Sequence, residues 1–476
     1  MKDLDKNEDG NCGYDLIVVG AGSAGFSASI TAAEAGKRVA LVGHGTIGGT
    51  CVNVGCVPSK AMIRAAEALH GAKAVKRFPG LSGQAQVDDW PTLIRSKDAL
   101  VASLREKKYA DLLPEYSGVE YIEAGPARLV EGGIVVGDRR LTAPKSLIAT
   151  GGRPALPSID GIEGVAALDS TSLLELETLP ESLIFIGAGY IGAELAQMMS
   201  RMGVKVTLVA RTHLLPGAEP QVSAALAAAF TAEGITLLTG LSYDSVRRDA
   251  AGVTLRVVQD GEAVEVTADH LVATAGRRAN TDDMGLEKMG VETNARGSIV
   301  IGDDMQTTAP GIYAAGDVTD RDQFVYMAAY GAKLAARNAV LGGSERYDNA
   351  VMPWVVFSDP QVAGVGLSEG QAQDAGFDVK TSVLPLDQVP RALAARDTRG
   401  LIKLVADRKT DQLLGGQIIA PEGSDTIQTL AMALKFGMTA RSLGEMIFPY
   451  LTTVEGLKLA AQTFDMDVAK LSCCAG

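Results

Sequence analysis

A basic surplus is the first thing this sequence lacks: 44 lysines and arginines face 57 aspartates and glutamates, a formal charge of −13. With no cationic excess to displace counterions from a phosphate backbone, nucleic acid is excluded as a main partner. Cysteine is scarce, five residues in 476, too few for an extracellular disulfide framework. A chain of this length buries a large core without such staples. Aromatic residues supply only 5%, yet hydrophobic residues reach 47% and charged ones 21%, which excludes global disorder. A basic leader and a pure apolar stretch are also missing. Residues 16–33 form an uncharged run, but Gly20, Gly22, Gly25, serines and a threonine interrupt it, and Asp3, Asp5, Glu8 and Asp9 precede it. Such a run suits neither a membrane span nor a secretion signal. The expectation is a cytoplasmic protein with no membrane partner.

Glycine is what the sequence has in plenty, 54 of 476 residues against a usual ~7%, and with no collagen-like period it implies many tight turns and close backbone approaches. Two turns stand out. Tyr14–Val19 reads as a buried strand, followed by Gly20-Ala-Gly-Ser-Ala-Gly25, a small-residue helix to about Gly36 and a strand Arg38–Val42. The unit recurs as strand Leu183–Ile186, turn Gly187-Ala-Gly-Tyr-Ile-Gly192, helix Ala193–Met202 and strand Lys205–Val209. One G-x-G-x-x-G is a weak signal, but a duplicated one with strand and helix in place on each side marks two dinucleotide-binding βαβ units. Their backbone N–H groups, at a helix N-terminus, suit a pyrophosphate. The acid expected about 20 residues after such a turn is missing from both: Val42 is followed by Gly43 and His44, and Val209 by Ala210 and Arg211. A cation at Arg211 suits the 2′-phosphate of NADPH, though a solvated loop arginine is the plainer alternative. Short strands running into turns recur at Leu147–Pro154 and Leu271–Arg277, and a helix is expected over Met327–Val340.

These signals divide the chain into a flexible N-terminus (1–13), a discontinuous first nucleotide domain (14–155 and 276–345), an inserted second one (156–275), a C-terminal domain of different texture (346–464) and a tail (465–476). The chemistry concentrates in Thr50-Cys51-Val-Asn-Val-Gly-Cys56-Val-Pro-Ser-Lys60. Two cysteines five apart at the start of a helix can close a disulfide, and the helix dipole lowers a thiolate pKa. A zinc half-site completed by Cys473 and Cys474 is the rival, disfavoured because vicinal cysteines fit a tetrahedron poorly. Two ordinary buried cysteines are the plain alternative.

The run Gly48–Lys60 resembles the flavin-dependent pyridine nucleotide–disulfide oxidoreductases. So do Thr150-Gly151, Thr274-Ala-Gly-Arg277, Ala315-Gly-Asp317 and Pro360-Gln-Val-Ala-Gly-Val-Gly366, in the family's order across residues 14–464. The resemblance implies an α/β fold with two Rossmann-like domains and a C-terminal α+β dimerisation domain. It implies FAD on the first turn, touching Gly20, Gly22, Gly25, Gly45, Gly49, Thr50, Lys60, Ala127, Thr150, Gly151, Asp317 and Val325. NADPH is implied on the second, touching Gly187, Gly189, Tyr190, Gly192, Glu194, Arg211 and Gly276. Cys51 and Cys56 are then the redox pair, with Cys56 nearest the flavin, and Lys60 and Glu194 an ion pair. Gly43 departs from the family, which normally has Glu there.

Disulfide reductases of the family carry a His–Glu dyad near the C-terminus, in which the His serves as acid and base. Here the segment is Phe448-Pro-Tyr450-Leu-Thr-Thr-Val-Glu455, and no histidine follows His270. With Tyr450, Tyr109 and the ending Leu471-Ser-Cys473-Cys474-Ala-Gly476, the chain resembles the branch that reduces Hg(II). Soft thiolates suit that soft ion. The resemblance implies that Cys473 and Cys474 capture Hg(II) from thiol complexes and pass it to Cys51 and Cys56, in a site shared between the chains of a homodimer. A dithiol–disulfide reductase and a non-catalytic soft-metal carrier are the alternatives. An extra N-terminal metal-binding domain, frequent in the branch, is expected to be missing, leaving Cys12 incidental.

Overall fold

The structure, a computed structural model, describes residues 13–467; Cys12, Cys473 and Cys474 lie outside them. The described chain forms two compact units, residues 13–61, 91–155 and 276–348 in one, and 62–90, 156–275 and 349–467 in the other.

In the first unit Leu16-Ile-Val-Val forms β1 (Leu16–Val19), buried at every residue, as a parallel strand covered on both faces must be. A turn leads to α1 (Ser23–Glu34), then β2 (Val39–Gly43). β1 pairs in parallel with β2, and β2 with β3 (Val119–Glu123). Strands Ser146–Ile148 and Ile312–Ala314 extend the sheet beyond β1. The Ser27 hydroxyl of α1 donates to the Ala329 carbonyl of helix Val325–Leu341, itself rich in alanine, at 2.9 Å. The uncharged run 16–33 is thus strand, turn and helix. Among the described residues no helix is long and apolar enough to cross a membrane. Between β2 and β3, α2 (Gly49–Asn53) and α3 (Cys56–Ala74) follow one another.

The second unit repeats the plan with a parallel sheet in the order Thr236–Thr239, Lys205–Ala210, Ser182–Ile186, His270–Ala273. Its helix, expected from Ala193, begins at Tyr190. The reason is that Gly189, with φ −78° and ψ −168°, is already the extended cap, as Gly22 is for α1 at φ −93° and ψ −170°. A five-stranded antiparallel sheet over residues 354–420 completes this unit and packs on helix Gly423–Lys435. Lys403, 1% exposed, reaches from that sheet to Glu219 at 2.9 Å and Glu369 at 2.7 Å. A buried ammonium needs such partners to offset its desolvation.

Candidate active site

The two glycine turns are built alike. Gly20 and Gly187 have φ of +117° and +103°, a region open chiefly to glycine. A Cβ on Gly25 would lie 1.7 Å from the Gly20 carbonyl oxygen, and one on Gly192 1.9 Å from that of Gly187. The last glycine of each turn is therefore required for the helix to start so close to its strand. The first turn also meets the cysteine segment backbone to backbone. Gly48 N–H donates to the Ala21 carbonyl at 2.8 Å, and a Cβ on Gly49 would stand 2.6 Å from Gly22 Cα. This cradle, lined by main chain and open to an anion at the N-terminus of α1, fits the pyrophosphate of FAD.

The sequence places both cysteines at one helix start; the structure gives each its own helix. Cys51 lies inside α2, and Cys56 is the first residue of α3. Both are half-buried thiols, not joined in a disulfide. Cys51 is pushed far above the ordinary thiol range, first by its hydrogen bond with the Cys56 sulfur, then by burial and by negative charge on Cys56; Cys56 backbone N–H and Lys60 oppose this. Cys51 thus holds its proton, and Cys56 heads α3, where the helix dipole favours negative charge. Lys60 stands one turn further along α3.

Asn53, absent from the expected site, fixes the segment: its amide donates to the Ile47 and Gly49 carbonyls at 2.9 Å each, and its oxygen accepts from Arg105 at 3.2 Å. Tyr109 packs edge-on against Phe26, with ring centroids 4.7 Å apart, and its hydroxyl lies 3.4 Å from that of Ser23. One edge of its ring borders Gly48, the residue that caps α2. Thr150 and Asn280 exchange hydrogen bonds of 2.7 and 2.9 Å. Asp317, raised by burial and held back by Arg277, lies 3.4 Å from the Arg277 guanidinium. Gly45, Gly151 and Gly276 all have positive φ. Ala127 opens the antiparallel strand Ala127–Val130, and Val325 opens its helix. At the end of β2, a Cβ on Gly43 would lie 2.4 Å from the Tyr121 hydroxyl, so the family's acid has no room beside that ring.

The remaining expected residues belong to the second unit. One face of helix Tyr190–Arg201, at spacings of four, three and four, meets residues 354–359. Tyr190 stacks on Trp354 with centroids 5.5 Å apart and planes inclined by 19°, and burial pushes its hydroxyl up to about 12. Glu194 accepts the Phe357 N–H at 2.9 Å, Gln197 exchanges hydrogen bonds of 2.7 and 2.8 Å with the Asp359 backbone, and Arg201 reaches the Asp359 carboxylate at 2.8 Å. Arg211 is exposed just beyond strand Lys205–Ala210, near Tyr243, whose hydroxyl burial raises and Arg211 lowers. Tyr450 is 54% exposed. Glu455 is buried and accepts the Leu451 N–H at 3.1 Å, so the surviving acid of the dyad holds the turn that carries Tyr450.

Two nucleotide turns, a thiol pair against the first and an aromatic stack beside the second define a flavin-linked dithiol oxidoreductase. Residues 14–336 match the pyridine nucleotide-disulphide oxidoreductase family and residues 352–461 its dimerisation domain; the chain belongs to this family. Within it, the chain is similar over its whole length to proteins named mercuric reductase. That of Bacillus cereus is 46% identical over 475 residues, covering 100% of this chain and 75% of its own. That of Streptomyces lividans is 45% identical over 470 residues, covering 98% and 99%. Among solved structures, the HOCl-induced flavoprotein disulfide reductase RclA from Escherichia coli superposes with a TM-score of 0.83 at 28% identity, covering 94% of this chain and 99% of its own.

Proposed function

We propose that this chain is an NADPH-dependent flavoenzyme that reduces Hg(II) to Hg(0), with Cys51 and Cys56 as the inner thiols and the protein acting in the cytoplasm. The net reaction is Hg(II) + NADPH → Hg(0) + NADP⁺ + H⁺. FAD, when bound, carries the two electrons from nicotinamide to the sulfur pair and its metal. The contact of Gly48 and Gly49 with Ala21 and Gly22 is the observation that carries the reading, because it ties the helix bearing Cys51 to the turn that would hold the flavin pyrophosphate. The domain division 14–155 with 276–345, 156–275 and 346–464 then corresponds to FAD, NADPH and dimerisation domains.

The residues' roles follow from their chemistry. Cys51, the interchange thiol, holds a transferable proton and gives it up as it takes Hg(II) from the incoming thiol complex, while Cys56, at the head of α3 and nearest the flavin, supplies the second thiolate. Two soft thiolates suffice for this ion. Proton transfer to an organic thiol is not required, which fits Tyr450 at the place of the family's histidine. Tyr190, held against Trp354, would cover the nicotinamide pocket, and Lys60, one turn beyond Cys56 on α3, would flank the flavin. The tail cysteines, Cys473 and Cys474, deliver Hg(II) from bulky thiol complexes.

The test is to purify the yellow protein and follow NADPH oxidation and Hg(0) release as Hg(II), glutathione disulfide and lipoamide are added separately. Turnover with Hg(II) alone is expected, and Cys51→Ala should abolish it. Rapid turnover of either disulfide with none of Hg(II) would replace this reading with the disulfide reductase. Metal binding without NADPH oxidation would replace it with the carrier.

A further inference from the structure

The end of β2 is where a dinucleotide fold normally presents an acid to the adenosine ribose. Here Gly43 stands in that place, 23 residues beyond Gly20. In the parallel register of β2 and β3, Leu41 lies opposite Tyr121 and Gly43 opposite Glu123. Side chains two apart on a strand share a face, so Gly43, Tyr121 and Glu123 look out on the same side of the sheet. The Tyr121 ring leans across Gly43: an added Cβ would lie 2.4 Å from its phenolic oxygen and 2.7 and 2.8 Å from two ring carbons. The glycine and the tyrosine are thus complementary, one giving up the space that the other fills.

The atom filling that space is polar. Burial and the nearby Glu123 charge both keep the Tyr121 proton in place, so the hydroxyl can donate as well as accept. Among the described residues no hydrogen bond engages it. Glu123 is exposed at the strand end, directly beyond the tyrosine. We propose that the Tyr121 hydroxyl, with the Glu123 carboxylate beside it, takes the adenosine ribose hydroxyls of FAD. The recognition role has moved one strand along the sheet, from β2 to β3. Neighbouring strands lie only about 4.8 Å apart, and a tyrosine spans that interval, returning an oxygen to the position the missing acid would have served.

The experiment reads flavin release and needs no turnover. Wild-type, Tyr121→Phe, Gly43→Glu and the double variant Gly43→Glu/Tyr121→Ala are loaded with FAD or with an analogue lacking both adenosine ribose hydroxyls. Release after dilution is followed by recovery of flavin fluorescence. The wild type should lose the analogue about five to ten times faster than FAD, the scale of one hydrogen bond. Tyr121→Phe should release FAD several times faster and so shrink the ratio between the two flavins, the Glu123 carboxylate keeping what remains of it. Gly43→Glu, with its side chain driven against the ring, should release FAD faster than the wild type. Adding Tyr121→Ala should restore both slow release and discrimination. If Tyr121→Phe retains the wild-type ratio between the two flavins, whatever the absolute rates, the hydroxyl does not touch the ribose and the proposal is overturned. A wild type that does not distinguish the flavins overturns it equally.

Discussion

Arg211 extends into solvent immediately after strand Lys205–Ala210, where a 2′-phosphate rather than a bare ribose would reward a guanidinium. Arg211→Glu should therefore lower kcat/KM for NADPH about ten- to hundredfold, the worth of a hydrogen bond to a charged group. The same parameter for NADH should change by less than about threefold, since a hydrogen bond between neutral partners is worth far less. Steady-state kinetics with both donors checks this, and equal, unchanged efficiencies would remove Arg211 from the site. The position of Arg211 was legible because it follows a recognisable strand. Trp354 was not, since its contact with Tyr190 joins residues 164 positions apart and neither carries a local signal. Asn53 escaped for a different reason: its bonds to Ile47, Gly49 and Arg105 depend on the path of the loop, which no spacing encodes.

At the scale of elements, the strands and helices around both glycine turns follow from their apolar runs and small residues. The exception was the start of helix Tyr190–Arg201, which the turn itself caps. The ionic contacts that anchor this helix were hidden in the sequence. Arg201 forks onto Glu233 at 2.6 and 2.7 Å, and Arg399 links Glu233, Asp359 and Asp397. Burial alone would raise Asp397, but hydrogen bonds and charge from Arg399, with help from Arg77, bring it below the ordinary carboxylate range. A depressed pKa means that the folded form binds this proton less readily than the unfolded chain. Its stabilising contribution is thus complete above about pH 3.9, the unfolded value, and fades as the pH falls through the folded one. Asp397→Asn should lower stability at pH 7, and the gap from wild type should close on acidification below about pH 4. Both tryptophans, Trp90 and Trp354, lie in the unit that holds this network, so their fluorescence during urea unfolding at each pH supplies the measurement. A gap independent of pH would contradict the assignment.

At the scale of the whole molecule, the dimerisation domain supports a homodimer, and we propose that each of its sites draws its inner cysteines from one chain and its tail cysteines from the other. Subunits carrying Cys51→Ala, mixed with subunits carrying Cys473→Ala and Cys474→Ala, should regain part of the Hg(II) turnover that either parent lacks with bulky thiol complexes. A two-fold interface uses each patch twice, so every mixed dimer would hold one site with both cysteine pairs intact. Activity that stays absent after confirmed exchange would mean that each chain uses its own tail. The Gly43–Tyr121 pair bears on how such a protein can be recombined with its relatives. The two residues lie on separate strands, 78 positions apart, and the tyrosine leaves room at the end of β2 for glycine alone. In a library of chimeras with a parent bearing Glu at the end of β2, a single crossover between positions 43 and 121 would unite that Glu with this tyrosine, or this glycine with a β3 that has none. Crossovers outside the interval keep the pair intact. Flavin-retaining progeny should thus inherit the segment from β2 to β3 as a block, a linkage set by one shared volume of side chain.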